Sequence, residues 1–198
     1  MTQITASLVK ELRERTGLGM MECKKALSET DGDLVKAEDL MRIKSGSKAS
    51  KVSGRVAAEG AIAVAISDDM RQGAIVEVNC ETDFVGKDES FLKFANDIAD
   101  IVNKSGESDI AVISEQKLPQ GESVEEVRQA LIMKLGENIS VRRAKKFNAK
   151  GALSSYLHGG RIGVMVDLVN GSSELGKDMA MHIACLLYTS DAADEEDS

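Results

Sequence analysis

Val78-Asn79-Cys80-Glu81-Thr82-Asp83-Phe84-Val85 gathers a thiol, two carboxylates, a hydroxyl and an aromatic ring into eight residues. The start of the run reads as a buried strand and Thr82-Asp83-Phe84 as a turn, which sets a large apolar ring beside a carboxylate where the chain leaves its core. A ring so placed is suited to insertion into another protein. Pattern alone favours a different fate. Phe84 precedes Phe91 by seven residues, so one uninterrupted helix would bury both rings on the same face, and Phe is usually buried. Against that stands Gly86-Lys87-Asp88-Glu89, which looks like a break followed by a fresh helix start.

Other chemistries find less support. Cys23, Cys80 and Cys185 have neither paired spacing nor a nearby His cluster, so they read as free thiols, with no disulfide framework, metal site or cofactor. Thiol catalysis by Cys23 or Cys80 with His158 lacks a base placed beside either sulfur, and His158 next to Gly159-Gly160 is ordinarily a turn residue. Arg142-Arg143-Ala144-Lys145-Lys146 could face RNA, but aromatic residues make up 3% of the chain and none interleaves with these cations as a stacking platform. A solvated strand edge is the simpler reading. No G-x-x-x-x-G-K-[ST] loop occurs, so the chain is not itself a nucleotide hydrolase of that type.

The elements that must carry these residues begin with three short helices. Leu8, Val9 and Leu12 form one stripe closed by Gly17; Met21, Ala26 and Leu27 a second; Leu34, Ala37 and Met41 a third, with Asp33 as N-cap. Because adjacent helical residues point about 100° apart, Met20 and Met21 cannot both face one small core. Met21 is the better candidate for burial, leaving Met20 as an adaptable contact. From Lys44 to Arg55 the chain is rich in Ser, Gly and Lys without a hydrophobic period, the composition of a linker. Ala61 to Ile66 and Ala74 to Val78 then predict a hairpin. A helix carries Phe91, Phe94, Ala95, Ile98, Ile101 and Val102 up to Gly106. Another starts at the Ser123/Glu126 capping box, lines its inner face with Val127, Leu131 and Leu135, and stops at Gly136. Ile139 to Phe147 reads as a strand. Gly151 to Val166 repeats the hairpin around Gly159-Gly160, and Leu175, Met179 and Ile183 predict a following helix.

The expected class is therefore α+β: a three-helix bundle with its linker (1–55), a first hairpin-and-helix subdomain (56–148), an incomplete second one (149–184) and a tail (185–198). Net charge is −8, but five acids among the last eight residues account for −5 of it, leaving −3. Residues 1–55 carry +3 and residues 56–190 carry −6, too little asymmetry to argue for nucleic acid. No apolar run approaches the roughly 20 residues of a membrane span and no signal sequence is evident, so a cytoplasmic protein is expected.

Four blocks resemble, in order, the elongation factor Ts family of bacteria and organelles. They are Leu8 to Gly17 with Met20 to Leu27, Thr82-Asp83-Phe84-Val85, Gly136-Glu137-Asn138-Ile139, and His158-Gly159-Gly160-Arg161-Ile162-Gly163-Val164. The resemblance covers Ile4 to about Ala184. It implies a ubiquitin-associated type of bundle and a guanine-nucleotide exchange factor for elongation factor Tu, acting without covalent chemistry. By this resemblance Asp83 and Phe84 enter the partner's nucleotide domain beside its magnesium site, Thr82 and Val85 shape the turn, and Arg13, Met20, Met21, Leu135 and His158 are partner contacts. The resemblance thus reverses the burial preference for Phe84. Two alternatives remain: a module whose bundle recognises some other helix or ubiquitin-like protein, and a nucleic-acid binder.

Cys185 to Glu195 fits no block of the family and resembles the in-frame translation of a transposase-type sequencing adapter. Amplifying the locus from source DNA is expected to give a reading frame that diverges after about Ala184; a frame containing Cys185 through Ser198 and then a stop codon would end that idea.

Overall fold

The computed structural model describes residues 4–196, with side chains described through Leu186. Three helices open the chain: α1 (Ala6–Thr16), α2 (Met20–Glu29) and α3 (Leu34–Val52). Thr5 and Asp33 cap α1 and α3 by accepting backbone N–H groups that a helix start leaves unpaired, and Gly17 ends α1 in the left-handed region at φ 66°. Val9, Leu12, Leu18, Cys23, Ala26, Leu27, Ala37 and Met41 form the shared core. Met21 is not part of it. Cys23, two residues further on, takes the inward position expected of Met21, which is 75% exposed.

The segment expected as a linker is the second half of α3. Ser45, Ala49 and Val52 are buried at helical spacing, and the Ser45 hydroxyl satisfies itself by donating to the Met41 carbonyl at 2.9 Å. Small residues serve here because another helix lies close. A Cβ on Gly46 would stand 3.1 Å from Gln129 Oε1, and Lys48 Nζ donates to the Met133 carbonyl at 2.9 Å. A period carried by Ser and Ala looks polar in sequence although it packs. The regular backbone ends only at Ser53.

Strands β1 (Glu59–Ile66), β2 (Gln72–Cys80) and β3 (Ser140–Asn148) form an antiparallel sheet in the order β1-β2-β3. Between β2 and β3 run α4 (Asp83–Gly86), α5 (Glu89–Ser105), α6 (Ile110–Glu115) and α7 (Val124–Leu135). Phe91, Phe94, Ala95, Ile98 and Val102 of α5 share a core with Ala61, Ala63 and Ala65 of β1. The capping box at Ser123 and the left-handed stops at Gly106 and Gly136 form as expected. On the sheet's other face sits the hairpin β4 (Ala152–His158) and β5 (Ile162–Leu168). The approach is close: a Cβ on Gly163 would lie 2.4 Å from Ile62 Cγ2, and one on Gly73 would lie 2.7 Å from Leu153 Cδ1.

The last helix, α8 (Ser173–Glu196), covers the hairpin's outer face, but not with the expected stripe. Gly176, Ala180 and Ala184 face inward, while Leu175, Met179 and Ile183 are 48%, 40% and 39% exposed. The reason is room. A Cβ on Gly176 would meet Ser154 Oγ at 2.3 Å, so the small residues face the sheet and the helix is turned by one position from the hydrophobic pattern. The tail expected at 185–198 has its backbone in α8 up to Glu196; its side chains from residue 187 onward, and all of 197 and 198, lie outside the described residues. Among the described residues no helix is long and apolar enough to cross a membrane.

Placing a carboxylate within α3 separates packed helix from linker. Ala49→Asp should cost on the order of 3 kcal/mol, because it buries a carboxyl without a partner. Ser50→Asp, on the exposed side, should stay within about 0.5 kcal/mol. Urea unfolding of both variants reads the contrast, and equal small effects would restore the linker.

Candidate functional site

β2 is buried from Val76 through Cys80, and the chain then turns outward at once. Thr82 caps α4, its hydroxyl accepting the Val85 N–H at 3.5 Å, and the Gly86 N–H donates to the Thr82 carbonyl at 3.1 Å. One helical turn is enough to split the roles of neighbours. Val85 faces the core at 8% exposure, whereas Phe84 stands 83% exposed, the most exposed of the large apolar side chains among the described residues. Phe84 and Phe91 do not share a face because they do not share a helix: α4 ends at Gly86, and Asp88 caps α5 by accepting from Ser90 and Phe91. Gly86 suits that end, since a Cβ there would press to 3.3 Å from the Gly60 carbonyl.

Asp83 pairs with Lys87 at 2.8 Å. The Lys87 hydrogen bond and charge, helped by Arg161, hold its carboxyl below the usual range, so the group is an anion at neutral pH. Arg161 is itself paired with Glu59. Asp83, Gly86 and Leu92 on one side and Gly159, Gly160 and Arg161 on the other line a cleft of about 250 Å³. The Gly159–Gly160 turn, with φ of 56° and 73°, is fixed to β1 by the Ile62 N–H donating to the Gly160 carbonyl at 2.7 Å. Two blocks about 75 residues apart in sequence thus meet at one cleft.

The remaining candidates divide. His158 is exposed at the end of β4, its Nδ1 3.3 Å from the Tyr156 hydroxyl and the two rings stacked at 6.2 Å. Arg13, Met20 and Met21 are exposed on α1 and α2, built on the bundle's core rather than on the core that carries the turn. Met20 and Met21 are 58% and 75% exposed, so both thioethers of the pair meet solvent. Leu135 is half-buried against the α5 core at the last position of α7.

Beyond Thr82 and Val85, the turn is held by residues whose part in it has no local sequence signal. Glu137 Oε2 accepts the Glu81 N–H at 3.1 Å and the Thr82 N–H at 3.0 Å, while its Oε1 accepts the Thr82 hydroxyl at 2.6 Å. The Glu81 carboxylate accepts in return from the Asn138 N–H at 2.6 Å and from Arg55 at 3.4 Å. Asn138 Nδ2 donates to the Arg55 carbonyl at 2.9 Å. Gly136-Glu137-Asn138-Ile139 stood out as a block, but a pairing across more than 50 residues leaves no local signal.

Neither buried thiol is placed for catalysis. Burial first, then the charges of Glu137 and Glu59, pushes Cys80 up to about 11, and its sulfhydryl donates to the Thr82 carbonyl at 3.2 Å. Burial also raises Cys23. No cluster of three or more metal-ligating side chains occurs among the described residues.

Residues 81–189 match the family model described as Elongation factor TS. Over 184 residues the chain is 62% identical to elongation factor Ts of Nitrosomonas eutropha, covering 93% of this chain and 63% of that protein. It is 58% identical over 187 residues to elongation factor Ts of Nitrosospira multiformis, and 56% identical over 179 residues to that of Alcanivorax borkumensis. The chain spans about 62–63% of the length of these curated relatives.

The thiol environments fix an alkylation pattern. At pH 8 native protein should react with iodoacetamide at exposed Cys185 alone, and at Cys23 and Cys80 only after denaturation. Peptide mapping reads the sites, and rapid native labelling of Cys80 would contradict the buried, protonated thiol.

Proposed function

The chain belongs to the elongation factor Ts family, and from that membership and the exposed turn we propose that it binds the translation GTPase elongation factor Tu and promotes release of GDP. The observation that carries this reading is Phe84, held 83% exposed on one short helical turn at the end of a buried strand. A large ring displayed in water on a fixed base gains by burial in a partner and loses no internal contact in doing so.

Exchange of this kind requires no covalent step. A factor that binds the nucleotide-free GTPase more tightly than the GDP form must weaken GDP binding by the same ratio. Phe84 enters between elements that hold the partner's magnesium ion, with Asp83 alongside; losing that ion removes a large local charge that retains the diphosphate. Thr82 and Val85 fix the turn. Arg13, Met20 and Met21 form the docking face of the bundle, and Leu135 and His158 touch the partner nearer the turn. GTP then enters and displaces the factor. Exposure of both Met20 and Met21 fits a bundle that adds affinity, since thioethers adapt to a partner surface. The site of action is the cytoplasm, where translation occurs.

Phe84→Ala tests the reading with one variant. Burial of a Phe side chain contributes roughly 1.5–3 kcal/mol, so the variant should slow catalysed GDP release by about 10–100-fold. Its own unfolding free energy should move by no more than about 0.5 kcal/mol, because the ring is exposed. Stopped-flow release of a fluorescent GDP analogue and urea unfolding measure the two. Release at the wild-type rate would remove Phe84 from the mechanism. A wild-type chain with equal affinity for nucleotide-free and GDP-bound partner would instead favour a simple binding module.

A further inference from the structure

We infer that Glu137 is the positioning residue for the Asp83–Phe84 turn: its carboxylate caps the end of β2 and so sets where Phe84 is presented. The inference rests on the exchange reading and adds a residue to it. In the sheet the last paired positions are Cys80 with Glu59 on one side and Asn79 with Ser140 on the other. Beyond them the N–H groups of Glu81 and Thr82 have no strand to meet. One carboxylate oxygen of Glu137 takes both, and the other takes the Thr82 hydroxyl, the same hydroxyl that accepts the Val85 N–H at the start of α4. Three donors on two consecutive residues thereby converge on one anion two residues before Phe84.

Charge and geometry both matter. An ionised carboxylate is acceptor-only and makes stronger hydrogen bonds than a neutral amide. A glutamine has one acceptor oxygen, so if that oxygen keeps the two N–H bonds its NH₂ faces the Thr82 hydroxyl, which must then accept instead of donate; the bond from Thr82 is reversed and none of the three keeps an anionic acceptor. The carboxylate is itself held in place. Glu137 lies between Gly136, whose carbonyl accepts from Arg55 at 3.3 Å, and Asn138, which bonds Glu81 and the backbone at Ser53 and Arg55. The turn is therefore referenced to the α7–β3 junction and to the end of α3 at once.

A double-mutant cycle with Phe84 separates positioning from general stability. Glu137→Gln should lower the maximal rate of GDP release by about tenfold at saturating factor, with half-saturation changed less than about twofold. In a Phe84→Ala background the same change should cost less than about twofold, because there is no ring left to present. Backbone hydrogen exchange in the free protein should show the Glu81 and Thr82 amides losing about tenfold or more in protection while Val76 and Val78 keep theirs. Thr82→Val, which deletes one of the three donors together with the hydroxyl that caps α4 but strands no charge, should show the same non-additivity. Equal slowing by Glu137→Gln in both backgrounds, no slowing at all, or unfolding of both Glu137→Gln and Thr82→Val would overturn the assignment. If wild type releases GDP, any of these outcomes refutes Glu137 alone; if wild type does not, the exchange reading falls and takes this inference with it.

Discussion

The strand β2 is buried on both faces and hydrogen-bonded on both edges, and the placing of the exposed turn and of the blocks that meet it follows from that confinement. Helix α5 presses on one side and the β4–β5 hairpin on the other. Such compression selects small residues: Ala61, Ala63 and Ala65 of β1 meet the helix, while across the two sheets Gly73 makes room for Leu153 and Gly163 for Ile62. It also makes polar groups inside the stack dependent on partners. Glu77, 9% exposed, is answered by Arg142 at 3.2 Å and Arg143 at 2.5 Å, so the basic run on β3 begins as counter-charge for a buried carboxylate. A strand so tightly held is a rigid base. The turn that leaves it at Cys80 inherits that rigidity only if its first free N–H groups are caught.

The catch is an exchange between two glutamates. Glu137 takes the backbone N–H of Glu81, and Glu81 takes the backbone N–H of Asn138. Each carboxylate thus serves the backbone of the other's loop, and Arg55 lies against Glu81 to offset the paired negative charge. Such an arrangement is worth more for direction than for bulk stability. Net contributions of hydrogen bonds with a charged partner are roughly 1.5–3 kcal/mol, comparable to one good core side chain, but they are directional where hydrophobic contacts are not. The same cluster binds the carbonyls of Ser53 and Arg55, which fixes the exit of α3 relative to the turn.

Local signals were legible wherever one element settles its own ends. The Ser123 capping box, the glycine stops at 17, 106 and 136, and the hairpin around Gly159–Gly160 all appear where the sequence puts them. Failures occurred where tertiary contact overrides local hydrophobicity. Residues 44–52 read as linker because two of their three buried positions, Ser45 and Ala49, are small enough for a close helix crossing and carry no hydrophobic signal beside Val52. The pattern of α8 was displaced by one residue because the sheet accepts Gly176, Ala180 and Ala184 and leaves Leu175, Met179 and Ile183 outside. Met21 looked like core because hydrophobicity does not reveal which side of a ten-residue helix is already filled by Cys23 and Leu27. For Phe84 the residues alone favoured burial, and the break at Gly86-Lys87-Asp88 carried the decisive information. The role of Glu137 had no local signal, since it depends on two backbone N–H groups more than 50 residues away.

The energetics of the turn suit the partner contact proposed for it. Phe84 makes no core contact whose loss would oppose binding, so its apolar area is available in full when covered. Asp83 is engaged by Lys87, but that pair is solvent-exposed at 76% and 43%, and exposed pairs contribute roughly 0–1 kcal/mol. Exchanging Lys87 for a group on the partner therefore costs little. What would be costly is disorder in the turn, because each freed backbone residue carries roughly 1–2 kcal/mol of entropy that binding must then remove. Holding the backbone at Glu81 and Thr82 by Glu137 places that ordering cost in folding rather than in association. A preordered backbone with displaceable side-chain partners is the combination that the proposed exchange role demands of this turn: a ring placed without an ordering cost at association, on contacts weak enough to be given back.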